Sequence, residues 1–147
     1  MSYISDVDIE RRLGTAAFVQ LTDDAGTGTA DLDVVAEARE GAIGEVNSYL
    51  ARRFRVPIDV GLHAELASVL MTVTLDVAAH RLHSRRPPIP PEVAAQYASA
   101  VSWLAKVAAG DVKLPAESVL AGADASGVTA KVSGNSAVLS HDELAGL

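Results

Sequence analysis

Apolar residues recur at intervals of three and four along most of the first 110 positions of the chain. Between residues 31 and 54, the stripe is Leu32, Val35, Ala38, Ala42, Ile43, Val46, Tyr49, Leu50 and Phe54, the signature of one long amphipathic helix. Asp33, Glu37, Glu40, Asn47 and Arg52 fall mostly off that stripe. Gly41 and Gly44 inside it each cost about 1 kcal/mol relative to alanine, which is tolerable where another backbone packs closely. Residues 62–83 carry Leu66, Val69, Leu70, Val73, Leu75 and Val77, and are apolar nearly all round. Such a helix belongs at the centre of its fold. A further stripe, Val93, Tyr97, Val101, Leu104 and Ala108, predicts a helix opening at Pro91 and stopping at Gly110.

Shorter signals precede these. Ser5 and Asp8 have the spacing of a capping box, predicting a helix from there to Leu13 with Gly14 as its stop. A short turn follows through Ala16, Ala17, Phe18 and Leu21. Residues 22–30, rich in Thr, Asp and Gly, read as a loop. The run Arg85-Arg86-Pro87-Pro88-Ile89-Pro90-Pro91 reads as a stiff connector, because each proline fixes its own φ and restrains the residue before it.

The pattern changes after Gly110. Pro115, Gly122, Gly127, Gly134 and Gly146 prevent a long helix. Two β-like runs, Val128 to Val132 and Ala137 to Leu139, flank Ser133-Gly134-Asn135-Ser136, so a hairpin or a donated strand is open to this segment. Fixing each backbone costs on the order of 1–2 kcal/mol, whereas each buried Val or Leu returns about 1.5–3 kcal/mol. The segment has too few apolar residues to order itself and needs a partner. The reading is therefore all-α: a small bundle of about four helices over residues 1–110, and an extended C-terminal arm over 111–147.

Composition narrows the function classes. With 147 residues, 49% apolar and 21% charged, the chain fits one ordinary globular domain. Its aromatic content of 4% leaves the core to Ala, Val, Leu and Ile. No apolar run approaches the roughly 18 residues of a membrane span, and no basic-then-apolar signal opens the chain. Zero cysteines exclude disulfides, Cys nucleophiles and thiolate metal sites. The net charge of −7 is uneven: −6 over residues 1–40, +2 over 41–110 and −3 over 111–147. Acidic ends repel a duplex, since DNA affinity comes largely from Lys and Arg on phosphates.

Candidate chemistry is sparse. A calcium loop starting at Asp23 would place Gly28 at its sixth position, but Ala25 and Val34 stand where two ligands are required. Gly26-Thr27-Gly28 lacks the third glycine and the preceding strand of a phosphate cradle. Asp76, His80 and His83 share one helix face at metal-ligand spacing, with no further ligand apparent. A helix end whose histidines contact neighbouring polar groups is the simpler reading, and Asp76 suits a buried pair with an arginine. Nothing sets Ser, His and Asp on a nucleophile turn, so no enzyme, metal or cofactor is expected. Arg52, Arg53 and Arg55 form one basic group, and Arg81, Arg85 and Arg86 another. Each is either a solvated helix end offsetting the helix dipole or a contact to acidic surface on a neighbouring molecule. Trp103, at the edge of its stripe, widens the core or anchors an interface.

Several segments in order resemble the connector, or adaptor, proteins of Mu-like phages and prophages. These are Gln20 to Asp23, Val46 to Phe54 followed by Val56-Pro57-Ile58, Asp76 to His83, and Tyr97 to Gly110 followed by Leu114-Pro115. The resemblance covers about residues 3–115. It departs at 23–31, where Ala25 and Thr27 interrupt a loop that is denser in Asp in relatives. It implies a helical virion protein at the head–tail neck, made in the host bacterial cytoplasm. Copies would form a ring, dodecameric by resemblance, docked beneath the portal protein and handing on to the next neck or tail-terminator protein. DNA would pass through the channel without specific binding, and no membrane is implied. The contacts to neighbouring subunits or portal are expected at Arg52, Arg53, Arg55, Arg85, Arg86, Trp103 and Leu114, and along the arm at Val128, Val132, Val138 and Leu139. A helical nucleic-acid-binding module using the arginines at 52, 53, 55, 85 and 86 is the alternative. An enzyme or metal-binding domain using Asp76, His80 and His83 is a third reading.

Overall fold

Side-chain caps open two of the five helices in the computed structural model, which describes residues 2–116. Ser5 caps α1 (Asp6–Leu13): its hydroxyl accepts from the Asp8 backbone N–H, and the Asp8 carboxylate accepts from the Ser5 N–H at 2.8 Å. Gly14, at φ +82°, ends α1 and starts α2 (Thr15–Thr22). The stretch expected as a short turn is thus a helix of 8 residues, and the described residues hold five helices. Asp31 caps α3 (Leu32–Leu50) by accepting from the backbone of Asp33 and Val34. α4 spans Ala64–Ser84, and α5 spans Pro91–Ala109, with Pro91 in its first turn and left-handed Gly110 at its end.

The central helix is the one expected from its all-round apolarity. α4 packs against α1, α2, α3 and α5, and buries Leu66, Leu70, Val73, Leu75, Val77 and Leu82. Around it lie Val35, Ala42, Val46 and Leu50 of α3 and Ala100, Leu104 and Val107 of α5. Phe18 and Leu21 of α2 and Ile9 of α1 close the remaining side. Two buried threonines, Thr22 and Thr74, satisfy their hydroxyls on carbonyls one turn back, Phe18 at 2.7 Å and Leu70 at 2.6 Å. Among the described residues no buried side-chain polar atom lacks a partner.

Tyr3 ties the beginning of the chain to this bundle. Its buried hydroxyl donates to Asn47 Oδ1 at 2.7 Å and accepts from the Ile58 N–H at 2.8 Å. Burial raises the phenol pKa, against the hydrogen bond from Ile58, which lowers it.

Three details depart from the sequence reading. Leu32 begins the apolar stripe yet is 64% exposed, although Val35 of the same turn is fully buried. α3 stops at Leu50, and residues 51–54 form a turn that still delivers Phe54 to the core. No backbone presses on the helical glycines: a Cβ at Gly41 would meet the Arg81 guanidinium at 2.7 Å, and one at Gly44 would meet nothing within 4 Å. Beyond Gly110, Val112, Leu114 and Ala116 are partly buried against the core. The β-like runs at 128–132 and 137–139 lie outside the described residues.

Candidate functional site

The second basic group closes on the acidic loop of its own chain. Arg85, just past α4, donates to the Leu21 carbonyl and to one Asp24 oxygen. Arg86 donates to the other Asp24 oxygen at 3.1 Å and to the Asp23 carbonyl at 3.4 Å. The Asp23 carboxylate is turned inward, accepting from the backbone of Gly28 at 2.7 Å and Thr27 at 2.9 Å. Those N–H groups hold its pKa below the usual range. Both Asp23 oxygens are therefore occupied in shaping the turn. The acidic surface sought for Arg85 and Arg86 on a neighbouring molecule is matched here within one subunit.

The first basic group divides. Arg53 reaches the end of α5, its Nε donating to the Ala108 carbonyl at 3.1 Å and Nη2 to the Ala109 carbonyl at 3.0 Å. A cation on the last carbonyls of a helix offsets its dipole. The same guanidinium lies where a Cβ at Gly110 would be, its Cζ 2.5 Å from that position. Arg52 is exposed in the turn after α3. Arg55 is exposed too, on a cleft of about 100 Å³ lined also by Pro57, Ile58, Asp59, Leu62, His63 and Ala116. A wider cleft of about 280 Å³ runs between α3 and α4 past Val34, Glu37, Ala38, Arg81, Ser84 and Arg85.

Asp76, His80 and His83 share a helix face but look to different partners. Asp76 is paired with Arg12 of α1, and the same Arg12 nitrogen reaches Gln96 Oε1 of α5 at 3.2 Å. This is the arginine partner that the sequence left unnamed. Burial pushes the Asp76 carboxyl up, and the Arg12 charge and hydrogen bond pull it back only in part. His80 stacks on Tyr97, with ring centroids 3.9 Å apart and 11° between planes. The His83 pKa is lowered by burial, with Glu92 opposing. Among the described residues no His, Asp or Glu group of three is arranged to hold a metal.

A polar cluster that the sequence did not reveal lies beside His80. Tyr97 of α5 donates to Glu45 Oε1 of α3 at 2.7 Å, and Arg81 of α4 donates to Glu45 Oε2 at 2.9 Å. That bond to Glu45, with burial second, pushes the Tyr97 phenol up to about 12. The clue in the sequence was a tyrosine on an apolar stripe, whose hydroxyl requires a partner when partly buried. The partner is 52 positions away, beyond the reach of spacing arguments. Trp103 and Leu114 are half-buried against the core. Val128, Val132, Val138 and Leu139 lie outside the described residues.

The described body is thus an all-α bundle in which the clustered charges tie helix to helix. The chain belongs to the family described as "Bacteriophage Mu, Gp36", whose model matches residues 3–132. It is a member of a bacteriophage protein family, and the match runs past the helical body into the C-terminal segment. No curated protein matches the chain.

Proposed function

We propose that the chain is a virion structural protein, a head-to-tail connector subunit. Copies of it form a ring beneath the portal protein and join the capsid to the next neck or tail protein. The observation that carries this reading is the family match over residues 3–132. Three features are in keeping with it. The bundle directs its clustered charges into ties between helices, as in Arg12–Asp76 and Arg81–Glu45–Tyr97, which suits a rigid part. Among the described residues, no helix is long and apolar enough to cross a membrane. The charge of −7 favours a channel past which DNA slides without adhering.

The action is mechanical, not catalytic: a coaxial opening is built and a docking surface is handed on. The nucleic-acid reading has less support. Arg85 and Arg86 share the single Asp24 carboxylate, and Arg53 is engaged by α5 carbonyls, so these three arginines are committed within the subunit and not held ready for the phosphate contacts that such binding needs. Phage particles made with an epitope-tagged copy of the chain test the proposal. Immunogold label at the head–tail junction is expected, and deletion should yield filled heads separate from tails. Label confined to the tail tip, or particles without the chain that are complete and infectious, would overturn it.

A further inference from the structure

The chain leaves α5 along a path that several independent fits determine. Gly110 takes the left-handed conformation at φ +89°, and the N–H groups of Asp111 and Val112 turn back to the Lys106 carbonyl at 2.9 and 3.3 Å. Arg53 crosses from the turn after α3 and donates to the carbonyls of Ala108 and Ala109. These are among the last four of the helix and have no partner within it. The Arg53 guanidinium also fills the space beside Gly110 that a larger residue would need, with Nη2 2.6 Å from the position of a Cβ. The turn carrying Arg53 is itself fixed, since the neighbouring Phe54 is buried and its N–H donates to the Leu50 carbonyl at 2.8 Å.

Beyond that turn, exposure alternates with a period of two. Asp111, Lys113 and Pro115 are exposed, whereas Val112, Leu114 and Ala116 are partly buried against the core. This is the pattern of an extended segment laid on the bundle with its apolar side inward. At about 3.3 Å per residue it reaches up to about 20 Å, from the end of α5 to the loop after α3. There Ala116 shares a cleft with Pro57, Ile58 and Leu62, and the Tyr3 hydroxyl pins that loop at the Ile58 N–H. The start of the segment expected to need a partner thus finds one in its own subunit. Its hold is weak, because none of its three inward side chains is fully withdrawn from water.

We propose that residues 111–116 are a releasable strap, closed across the end of the bundle by the Arg53 latch at Gly110. Closed, the strap covers apolar surface between the ends of α3 and α5, and fixes the point on the body from which the chain continues past Ala116. Open, it uncovers that surface and moves the point of departure back to Gly110. Arg53 acts as a positioning residue: its fork holds the root of the strap, and the weak apolar contacts beyond it depend on that hold. The strap belongs to the single subunit, so it stands or falls apart from the connector reading.

The lysines of the chain are Lys106, Lys113 and Lys131, so a lysine-specific protease reports on the strap at Lys113 and on α5 at Lys106. Cleavage needs several residues of backbone drawn out, so at low protease the cut after Lys113 tracks the open strap. In the full-length parent it should be far slower than in a free peptide of residues 108–118. Arg53→Met removes no lysine and should speed it roughly ten- to a hundredfold, the factor for one hydrogen bond from a charged donor. Cleavage at Lys106 should change far less. Leu114→Ser should also speed the Lys113 cut, with the latch intact. The chain contains no cysteine, so Leu62→Cys with Ala116→Cys places one pair across the shared cleft. A short bismaleimide should link the pair within one chain, and adding Arg53→Met should lower the yield. Leu114→Ser and the link keep the test decisive if Arg53→Met does not fold. A Lys113 cut at the peptide's rate in the parent, absence of the intrachain link, or equal acceleration at Lys106 and Lys113 in Arg53→Met would overturn the proposal.

Discussion

Removing Arg12 should expose how the bundle holds a carboxylate in its interior. In Arg12→Met the side-chain stem remains, and the donors to Asp76 and Gln96 are lost. The Asp76 side chain is 12% exposed and that of Arg12 is 30% exposed, so the pair lies between two regimes. Breaking a fully buried pair costs about 3–5 kcal/mol, and an exposed one contributes about 0–1 kcal/mol. A loss of about 2 kcal/mol at neutral pH is therefore expected, lowering Tm by roughly 6–10 °C for a chain of this size. The pH dependence identifies the cause. Burial already raises the Asp76 pKa in the folded protein, so this group's contribution is complete below its unfolded pKa and declines as pH rises through the folded one. Without Arg12 the folded pKa climbs further, and the added loss exists only where Asp76 is ionised. Urea unfolding across pH should show the gap between variant and parent wide at neutrality and nearly closed by about pH 4, the ordinary carboxylate range. Asp76→Asn in the Arg12→Met background should recover much of the loss at neutral pH. A deficit of equal size at both ends of the range would refute the reasoning, since it would then arise from packing.

Three further expectations concern other ties. Tyrosinate absorbance should show one phenol titrating near 12, assigned to Tyr97, and Glu45→Gln should return it toward the ordinary range. Because the folded pKa is raised, the Tyr97 contribution to stability should be complete below the ordinary tyrosine value and vanish as pH rises through about 12; an unchanged titration in Glu45→Gln would contradict this. Tyr3→Phe leaves the Ile58 N–H without its acceptor and should cost about 1–3 kcal/mol in urea unfolding, whereas Asn47→Ala, which removes a partner of the same hydroxyl, should cost less. Gly110→Ala should cost at least about 1–2 kcal/mol for its left-handed backbone, plus the displacement of Arg53 from the α5 carbonyls. In an Arg53→Met background the second part should disappear, so a double-mutant cycle that proves additive would dismiss the contact.

Local signals carried the helical framework. Ser5 with Asp8, Pro91 and Gly110 mark ends where the physics is confined to one turn of backbone, and each is found in that role. The centrality of α4 followed from its lack of a polar face. What spacing could not supply was depth and partnership. Leu32 satisfies the stripe of α3 but stands exposed at its first position, while Val35 of the same turn is fully buried. Phe54 keeps its place in the core although the helix ends four residues earlier. The partners of Asp76, Arg85 and Tyr97 are each more than fifty positions away, and only the packing of α1, α2, α3 and α5 around α4 brings them together. Among the expected contact residues, Arg53, Arg85 and Arg86 proved to have definite tasks within the subunit, which charge and sequence position alone did not distinguish from surface contacts.

The connector proposal is tested most directly by imaging the full-length protein mixed with its cognate portal protein. A ring of copies seated coaxially on one face of the portal, with an open channel, is the expected result. Portal particles that remain bare at every ratio of the two proteins would contradict it.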